Sequence, residues 1–116
     1  MITIMPADKA FLDAVDAPIG TDAMVLRDSD GTVFGHALFM VTGDTVEILA
    51  VQTDEPLMTE GLIRAVINTG DCRGAVNAIC KDEALIPVLK RLEFAPVEGI
   101  YTVSIQQFLY GECKCK

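Results

Sequence analysis

The fold is decided by residues 45–81, which read TVEILAVQTDEPLMTEGLIRAVINTGDCRGAVNAICK. Residues 45–51 alternate with a period of two, and both of their faces become apolar toward the end, as in a buried central strand. A helix is predicted next, beginning at residues 54–56 and ending at Gly70, with apolar residues at helical spacing between them. Residues 75–81 form another apolar strand. Because a helix joins the two strands, they are predicted to run parallel.

The flanking segments extend this unit on both sides. Upstream, the predicted elements are a strand at 2–5, a helix at 8–15, and hairpin strands at 23–27 and 32–41 around the turn Asp28-Ser29-Asp30-Gly31. Downstream, Asp82 begins a second helix that runs through Leu92, and a final strand spans 100–108 with Tyr101, Val103 and Ile105 alternating. The predicted fold class is α/β with a mixed sheet: an antiparallel meander, a parallel βαβ unit, and a final helix and strand.

Composition indicates one packed domain with an acidic surface. The chain has 116 residues, of which 51% are hydrophobic and 22% charged, as expected for a globule with a continuous core. We assign residues 1–110 to this domain and residues 111–116 to a short tail. Nine Lys and Arg against seventeen Asp and Glu give a formal net charge of -8. An acidic surface without a basic run repels phosphate backbones, so nucleic acid is not expected as a partner.

The N-terminal sequence predicts a cytoplasmic protein. Residues 1–6, MITIMP, lack the basic start and long apolar stretch of a signal peptide, and no apolar run has the length of a membrane span. Neither secretion nor a membrane partner is therefore expected. In the cytosol the four cysteines would be reduced thiols.

Three segments carry a resemblance to a known family. They are Gly35-His36-Ala37-Leu38 on one strand, Ile48-Leu49-Ala50-Val51 on the next, and residues 88–94, VLKRLEF, at the end of the last helix. In order and apolar pattern, about residues 23–108 resemble the GNAT superfamily of N-acetyltransferases. The resemblance implies the GNAT fold, acetyl-CoA as the cofactor, and a small amine or a protein as the acceptor.

The cofactor-binding signature of that family is only partly present. GNAT enzymes carry Arg/Gln-x-x-Gly-x-Gly/Ala where a helix N-terminus meets the CoA pyrophosphate; residues 56–61, PLMTEG, match it only at Gly61. The resemblance places the amides of Thr59, Glu60 and Gly61 at the phosphates, and the backbone of Leu49, Ala50 and Val51 along the pantetheine arm. Asp54, Glu55 and Glu60 surround the phosphate position with Arg64 as the only nearby positive charge, which opposes binding.

The catalytic positions also depart from the family. Glu47 lies on the strand where some GNAT enzymes hold a general base that deprotonates the acceptor amine, and it is our candidate catalytic residue. The family's CoA-contacting Asn corresponds to Asp82, and the Tyr that commonly protonates the departing thiolate corresponds to Leu89. The Gly of the usual Gly-Phe ending is Glu93, followed by Phe94.

The remaining candidates are the single histidine and the cysteines. His36 has no Ser, Cys or carboxylate motif beside it, so a structural, half-exposed histidine is the favoured interpretation. Cys113 and Cys115 could bind a soft metal or form a redox pair, although a structural zinc site requires four ligands. Cys72 and Cys80 are interpreted as buried small residues.

Two hypotheses of different class follow. The first is a divergent acyl-CoA-dependent N-acyltransferase with weak or lost activity, in which Glu47 activates an amine. The second is a non-catalytic binding or regulatory module on the GNAT fold, which contacts a thiol reagent, a metal or a partner through the Cys113 and Cys115 tail or an exposed sheet face. An edge strand ending near Phe108 could pair between copies, so a homodimer is possible.

Overall fold

A computed structural model describes residues 2–53 and 56–110, excluding the side chains of Pro56 and Tyr110. The described strands are β1 Thr3–Pro6, β2 Asp22–Arg27, β3 Val33–Thr42, β4 Thr45–Thr53, β5 Asn77–Cys80, β6 Ala95–Val97 and β7 Ile100–Ser104. The described α-helices are α1 Lys9–Ala14, α2 Pro56–Cys72, α3 Ile86–Arg91 and α4 Ile105–Tyr110. Together the strands form one mixed sheet in the order β1-β2-β3-β4-β5-β7-β6. The pair β4 and β5 is parallel and the other pairs are antiparallel, which confirms the predicted fold class.

The meander forms where the sequence has turn chemistry. One carboxylate oxygen of Asp28 accepts hydrogen bonds from the backbone N–H groups of Asp30 and Thr32, at 2.9 and 3.0 Å. Gly31 closes this turn with φ of +87°, a conformation that residues with a side chain rarely adopt. The strands β2 and β3 therefore pair as predicted.

The core lies on one face of the sheet. Leu62, Ile63, Val66 and Ile67 of α2 are fully buried with residues of β3, β4 and α3, among them Phe39, Ile48 and Leu89. Since side chains alternate along a strand, Glu47 and His36 point to the opposite face. There, Phe11 of α1 meets the His36 ring edge-on, with 5.4 Å between ring centroids.

Gly70 was predicted to end the helix that begins at residues 54–56, and that prediction is wrong. The helix α2 continues to Cys72, and Gly70 lies against β4. A Cβ atom at Gly70 would lie 2.8 Å from Cγ1 of Val46, closer than two carbon atoms pack. Glycine at this position thus serves close packing of helix on sheet rather than termination.

The helix after β5 begins with a tighter turn than predicted. The Asp82 side chain accepts a hydrogen bond from the N–H of Ala84 at 3.0 Å and caps a 3-10 turn, Glu83–Leu85. Pro87 then lies in the first turn of α3, where its missing N–H costs little.

The predicted final strand at 100–108 is also wrong in its second half. The strand β7 ends at Ser104, and Ile105 begins α4, with its backbone N–H donating to the carbonyl of Val76. The strand β6, which was not predicted, pairs with β7 through a turn at Glu98 and Gly99, both with positive φ. Consequently β7 lies inside the sheet and Phe108 lies on a helix, so the expected pairing of copies through an edge strand near Phe108 has no basis in the fold.

Candidate functional site

The centre of the sheet splits between β4 and β5. Their parallel pairing runs from Thr45 opposite Asn77 to Ile48 opposite Cys80 and ends there. The strand β4 continues from Leu49 to Thr53, and in the described part of the chain Ala50, Val51 and Gln52 pair with β3, while no residue from Leu49 to Gln52 pairs with β5. The second half of β4 therefore presents one edge of backbone N–H and C=O groups that β5 does not use.

A bulge marks the start of this split. Leu38 of β3 is opposite Ala50, but the next residue, Phe39, is opposite Ile48, so Leu49 is an extra residue in β4. A bulge bends its strand and increases the local twist, which turns the second half of β4 away from β5. The three residues that the resemblance assigned to the pantetheine arm, Leu49, Ala50 and Val51, all lie in this half.

Glu47 lies just before the split on the face opposite the core. Its side chain is 28% exposed, and its Oε2 lies 3.8 Å from Nζ of Lys81, the residue directly after β5. Sequence analysis did not identify Lys81. The parallel register brings it beside Glu47, and that register cannot be read from either strand alone.

The predicted phosphate-binding residues lie at the start of α2. Thr59 is buried, and the nearest atom to a Cβ added at Gly61 would be Cδ1 of Ile4, at 3.5 Å, an ordinary contact. Arg91 of α3 donates a hydrogen bond from Nε to Oε2 of Glu60 at 2.9 Å, and its Nη2 forms an ion pair with the same oxygen at 2.8 Å. A side chain at Gly61 would therefore make no close contact.

Arg64 was predicted to be the only nearby positive charge, and that prediction is wrong. Arg91 offsets the charge of Glu60, whereas the Arg64 guanidinium lies 5.2 Å from the ring centroid of Phe108 on α4. Sequence analysis missed Arg91 because α2 and α3 are distant in sequence and meet only in the fold. Asp54 and Glu55 lie outside the described residues.

The family's proton donor is replaced by a core residue. Leu89 is fully buried, so its side chain packs in the interior, and the Asp82 carboxylate caps the 3-10 turn. Glu93 has φ of +69° at the end of α3, the left-handed conformation for which helices prefer glycine. Glu93 therefore has a backbone conformation that glycine favours.

His36 and the cysteines differ in accessibility. Burial lowers the pKa of His36, which is half-buried beside Phe11. Cys80 is buried as predicted, and burial is the main cause that raises the pKa of its thiol, but Cys72 is exposed, contrary to prediction. Cys113 and Cys115 lie outside the described residues. Across residues 2–53 and 56–110, no three His, Cys, Asp or Glu side chains come together as a metal site would require.

Sequence analysis also missed a cavity of about 450 Å³ that lies away from the split. It is lined by residues of α2, β7 and α4 and by the end of α3, including Arg64, Glu93, Val103 and Phe108. No helix in the described part of the chain is long and apolar enough to cross a membrane.

Comparison with known proteins identifies the fold but not a sequence relative. No protein-family model matches the chain, and no curated protein matches its sequence. Solved structures do match. A variant of the spermidine N-acetyltransferase from Vibrio cholerae has a TM-score of 0.74 and 6% identity, with 96% of this chain and 98% of that chain covered.

Two further structures have similar scores. The ribosomal-protein-S18-alanine N-acetyltransferase from Escherichia coli has a TM-score of 0.69 and 15% identity over 90% of this chain and 94% of that one. A GNAT family acetyltransferase from Elizabethkingia anophelis, with acetyl-CoA bound, has a TM-score of 0.68 and 10% identity over 89% and 97%. At such low identities the likeness is one of fold.

Proposed function

We propose, from the premise that the chain has the GNAT fold, that this protein is an acyl-CoA-dependent N-acyltransferase. The observation that carries the proposal is the second half of β4, which does not pair with β5 from Leu49 to Gln52. An extended ligand with amide groups, such as the pantetheine arm of acetyl-CoA, can hydrogen-bond to such an edge as a strand would. The similar Elizabethkingia structure has acetyl-CoA bound.

Two groups of residues would hold the cofactor. The backbone of Leu49, Ala50 and Val51 would pair with the pantetheine arm, and the first turns of α2, which include Thr59, Glu60 and Gly61, would lie at the phosphates. The ion pair between Arg91 and Glu60 supports the second assignment, because it offsets a carboxylate that would otherwise repel the pyrophosphate.

The chemistry would occur on the face of the sheet that carries Glu47. Glu47 takes a proton from the acceptor amine, the amine nitrogen forms a bond to the thioester carbonyl carbon, and the carbon–sulfur bond then breaks. The released thiolate needs a proton. Leu89 cannot supply it, whereas the Lys81 ammonium, 3.8 Å from Glu47, carries one beside the split. We therefore assign Glu47 as the base and Lys81 as the acid.

The acceptor class follows from charge. The net charge of -8 concentrates cations near the protein surface, which favours an amine acceptor with additional positive charges. The named acceptors of the similar structures, spermidine and an alanine of a ribosomal protein, are both amines. A small amine or a protein N-terminus is accordingly the acceptor we propose.

The test begins with calorimetric titration of the reduced full-length protein with acetyl-CoA and with coenzyme A. We expect micromolar affinity for both. With spermidine or an N-terminal alanine peptide as acceptor, Glu47→Gln should lower kcat by about 10²–10⁴-fold without changing the affinity for acetyl-CoA. Glu83→Gln, at an exposed glutamate on the 3-10 turn, is the matched control and should change neither.

The burial of Leu89 favours a second candidate, a non-catalytic module on the same fold. Binding of acetyl-CoA without turnover on any amine would select this candidate. No heat and no thermal stabilisation at millimolar acetyl-CoA would contradict the acyltransferase and leave a binding module, whose Cys113 and Cys115 tail would then be titrated with zinc. The division into a domain at 1–110 and a tail at 111–116 belongs to this proposal as well.

A further inference from the structure

The cavity between α2, α3, β7 and α4 lies away from the split between β4 and β5, and it shares with the proposed phosphate site only Arg91, which pairs with Glu60. Its volume of about 450 Å³ lies in the range of small-molecule sites. Its lining combines an apolar part, Leu92, Val103 and Phe108, with polar side chains. None of its lining residues belongs to β4 or β5, the strands that form the split.

Two side chains of opposite charge line this cavity, and neither has an ion-pair partner among residues 2–53 and 56–110. The Arg64 guanidinium carbon lies over the Phe108 ring, 5.2 Å from its centroid, and Arg64 makes no ion pair in this part of the chain. Glu93 is exposed and also makes none. The third charged lining residue, Arg91, is already bonded to Glu60. The cavity therefore offers one positive and one negative group to a ligand.

The conformation of Glu93 accounts for its place at the cavity. Glu93 follows the end of α3 with φ of +69°, the left-handed conformation that commonly terminates a helix. Glycine is the usual residue there, whereas here the position gives the cavity lining a carboxylate.

We infer that this cavity binds a small zwitterion, a free amino acid with an apolar side chain. Its carboxylate pairs with the Arg64 guanidinium, whose parallel N–H groups match a carboxylate, and its ammonium pairs with Glu93. Its side chain lies against Leu92, Val103 and Phe108. The inference is independent of the proposed acyltransferase activity, since no group of the split takes part.

The first experiment is an NMR titration of the full-length protein with L-leucine, 4-methylpentanoate and isopentylamine. The second and third ligands are leucine without its ammonium and without its carboxylate. We expect leucine to bind at millimolar concentration and each half-ligand to bind about tenfold more weakly or less, because a charge-assisted contact is lost in each. Amide signals of residues 102–108 should shift, and those of Leu49, Ala50 and Val51 should not.

Variants assign each contact. Arg64→Gln should reduce leucine binding to the level of isopentylamine and leave isopentylamine unchanged, whereas Glu93→Gln should reduce it to the level of 4-methylpentanoate. Lys90→Gln is the matched control, since Lys90 is an exposed α3 residue outside the cavity lining, and it should have no effect. Saturating coenzyme A should leave leucine binding unchanged.

Four results would overturn the inference. They are equal affinity for the three ligands, unaltered leucine binding in both cavity variants, displacement of leucine by coenzyme A, and shifts confined to β4. If neither L-leucine nor L-phenylalanine binds at about ten millimolar, the inference is also overturned. Binding weaker than this would not distinguish one small molecule from another.

Discussion

The two halves of β4 differ in packing although they belong to one strand. The closed half, residues 45–48, pairs with β3 on one side and β5 on the other. Helix α2 lies so close to Val46 that only glycine fits at position 70. The open half, residues 49–52, does not pair with β5, and Gly61, near the start of α2, has room for a side chain. The closed half fixes the fold, and the open half leaves backbone groups for a ligand. Glycine therefore has opposite roles at the two ends of the same helix.

The closed half should respond most strongly to an added methyl group. We expect Gly70→Ala to lower the free energy of unfolding by about 1–2 kcal/mol, because overpacking against Val46 outweighs the better helix propensity of alanine. Guanidinium unfolding of both proteins measures this difference. Since Val46 is fully buried and β-branched, it cannot rotate freely to make space.

A double variant checks that this cost arises from the contact with Val46. Val46→Ala alone should also destabilise the protein, by roughly 1–3 kcal/mol, through a cavity. Combined with Gly70→Ala it should destabilise less than the sum, with a coupling of about 0.5–3 kcal/mol. Additive effects would mean that α2 and β4 are not in contact at this point.

The open half should respond in the other direction. Gly61→Ala should raise the free energy of unfolding by about 0.5–1 kcal/mol, because alanine favours a helix and its methyl group meets only Ile4, at an ordinary distance. The same methyl group would occupy the space where the CoA phosphates approach the backbone, so the affinity for acetyl-CoA should fall by about tenfold. Unfolding curves and calorimetry on one sample give both numbers.

Higher stability with unchanged affinity would place the phosphates elsewhere and leave the split half of β4 as the only support for cofactor binding. Gly61→Ser, which adds a polar side chain only slightly larger than that of alanine, distinguishes a steric effect from an effect of polarity. If the effect is steric, the affinity of Gly61→Ser for acetyl-CoA should fall as much as that of Gly61→Ala.

The sequence predicted the parts of the fold that local rules control. The meander follows from the Asp28–Gly31 turn, and the parallel pair β4 and β5 follows from a helix between two apolar strands. The prediction failed at Gly70 and at residues 105–108, where tertiary contacts override the local signal. Gly70 indicates a helix end in isolation, and the alternation of Tyr101, Val103 and Ile105 continues past the point where Ile105 turns into the core.

The candidate site shows the same division. The strand that holds Glu47 and Leu49 was predicted, because its apolar pattern is local. The bulge at Leu49, the Lys81 partner and the Arg91 ion pair depend on register and on helix packing, which a single strand or helix does not encode. The left-handed conformation of Glu93 likewise has no sequence signal, since glutamate rarely adopts it.

The smallest expected effect is on the pH dependence of stability, and it tests the burial of His36 beside the open half of β4. His36 is opposite Gln52 of β4 and Val25 of β2, with Phe11 of α1 beside it, and none of these three residues titrates. Burial alone therefore lowers the pKa of His36 below its ordinary value of 6.5. The unfolded chain then binds more protons than the native one as pH falls below about 6.5, so stability that is present above this pH is lost. Unfolding of wild type and His36→Gln at pH 7.5, 6.5 and 5.5 isolates this contribution, because all other titrations are shared. The stability of the wild type relative to the variant should decrease toward pH 5.5, and an increase instead would mean that an acidic group faces the imidazole in solution.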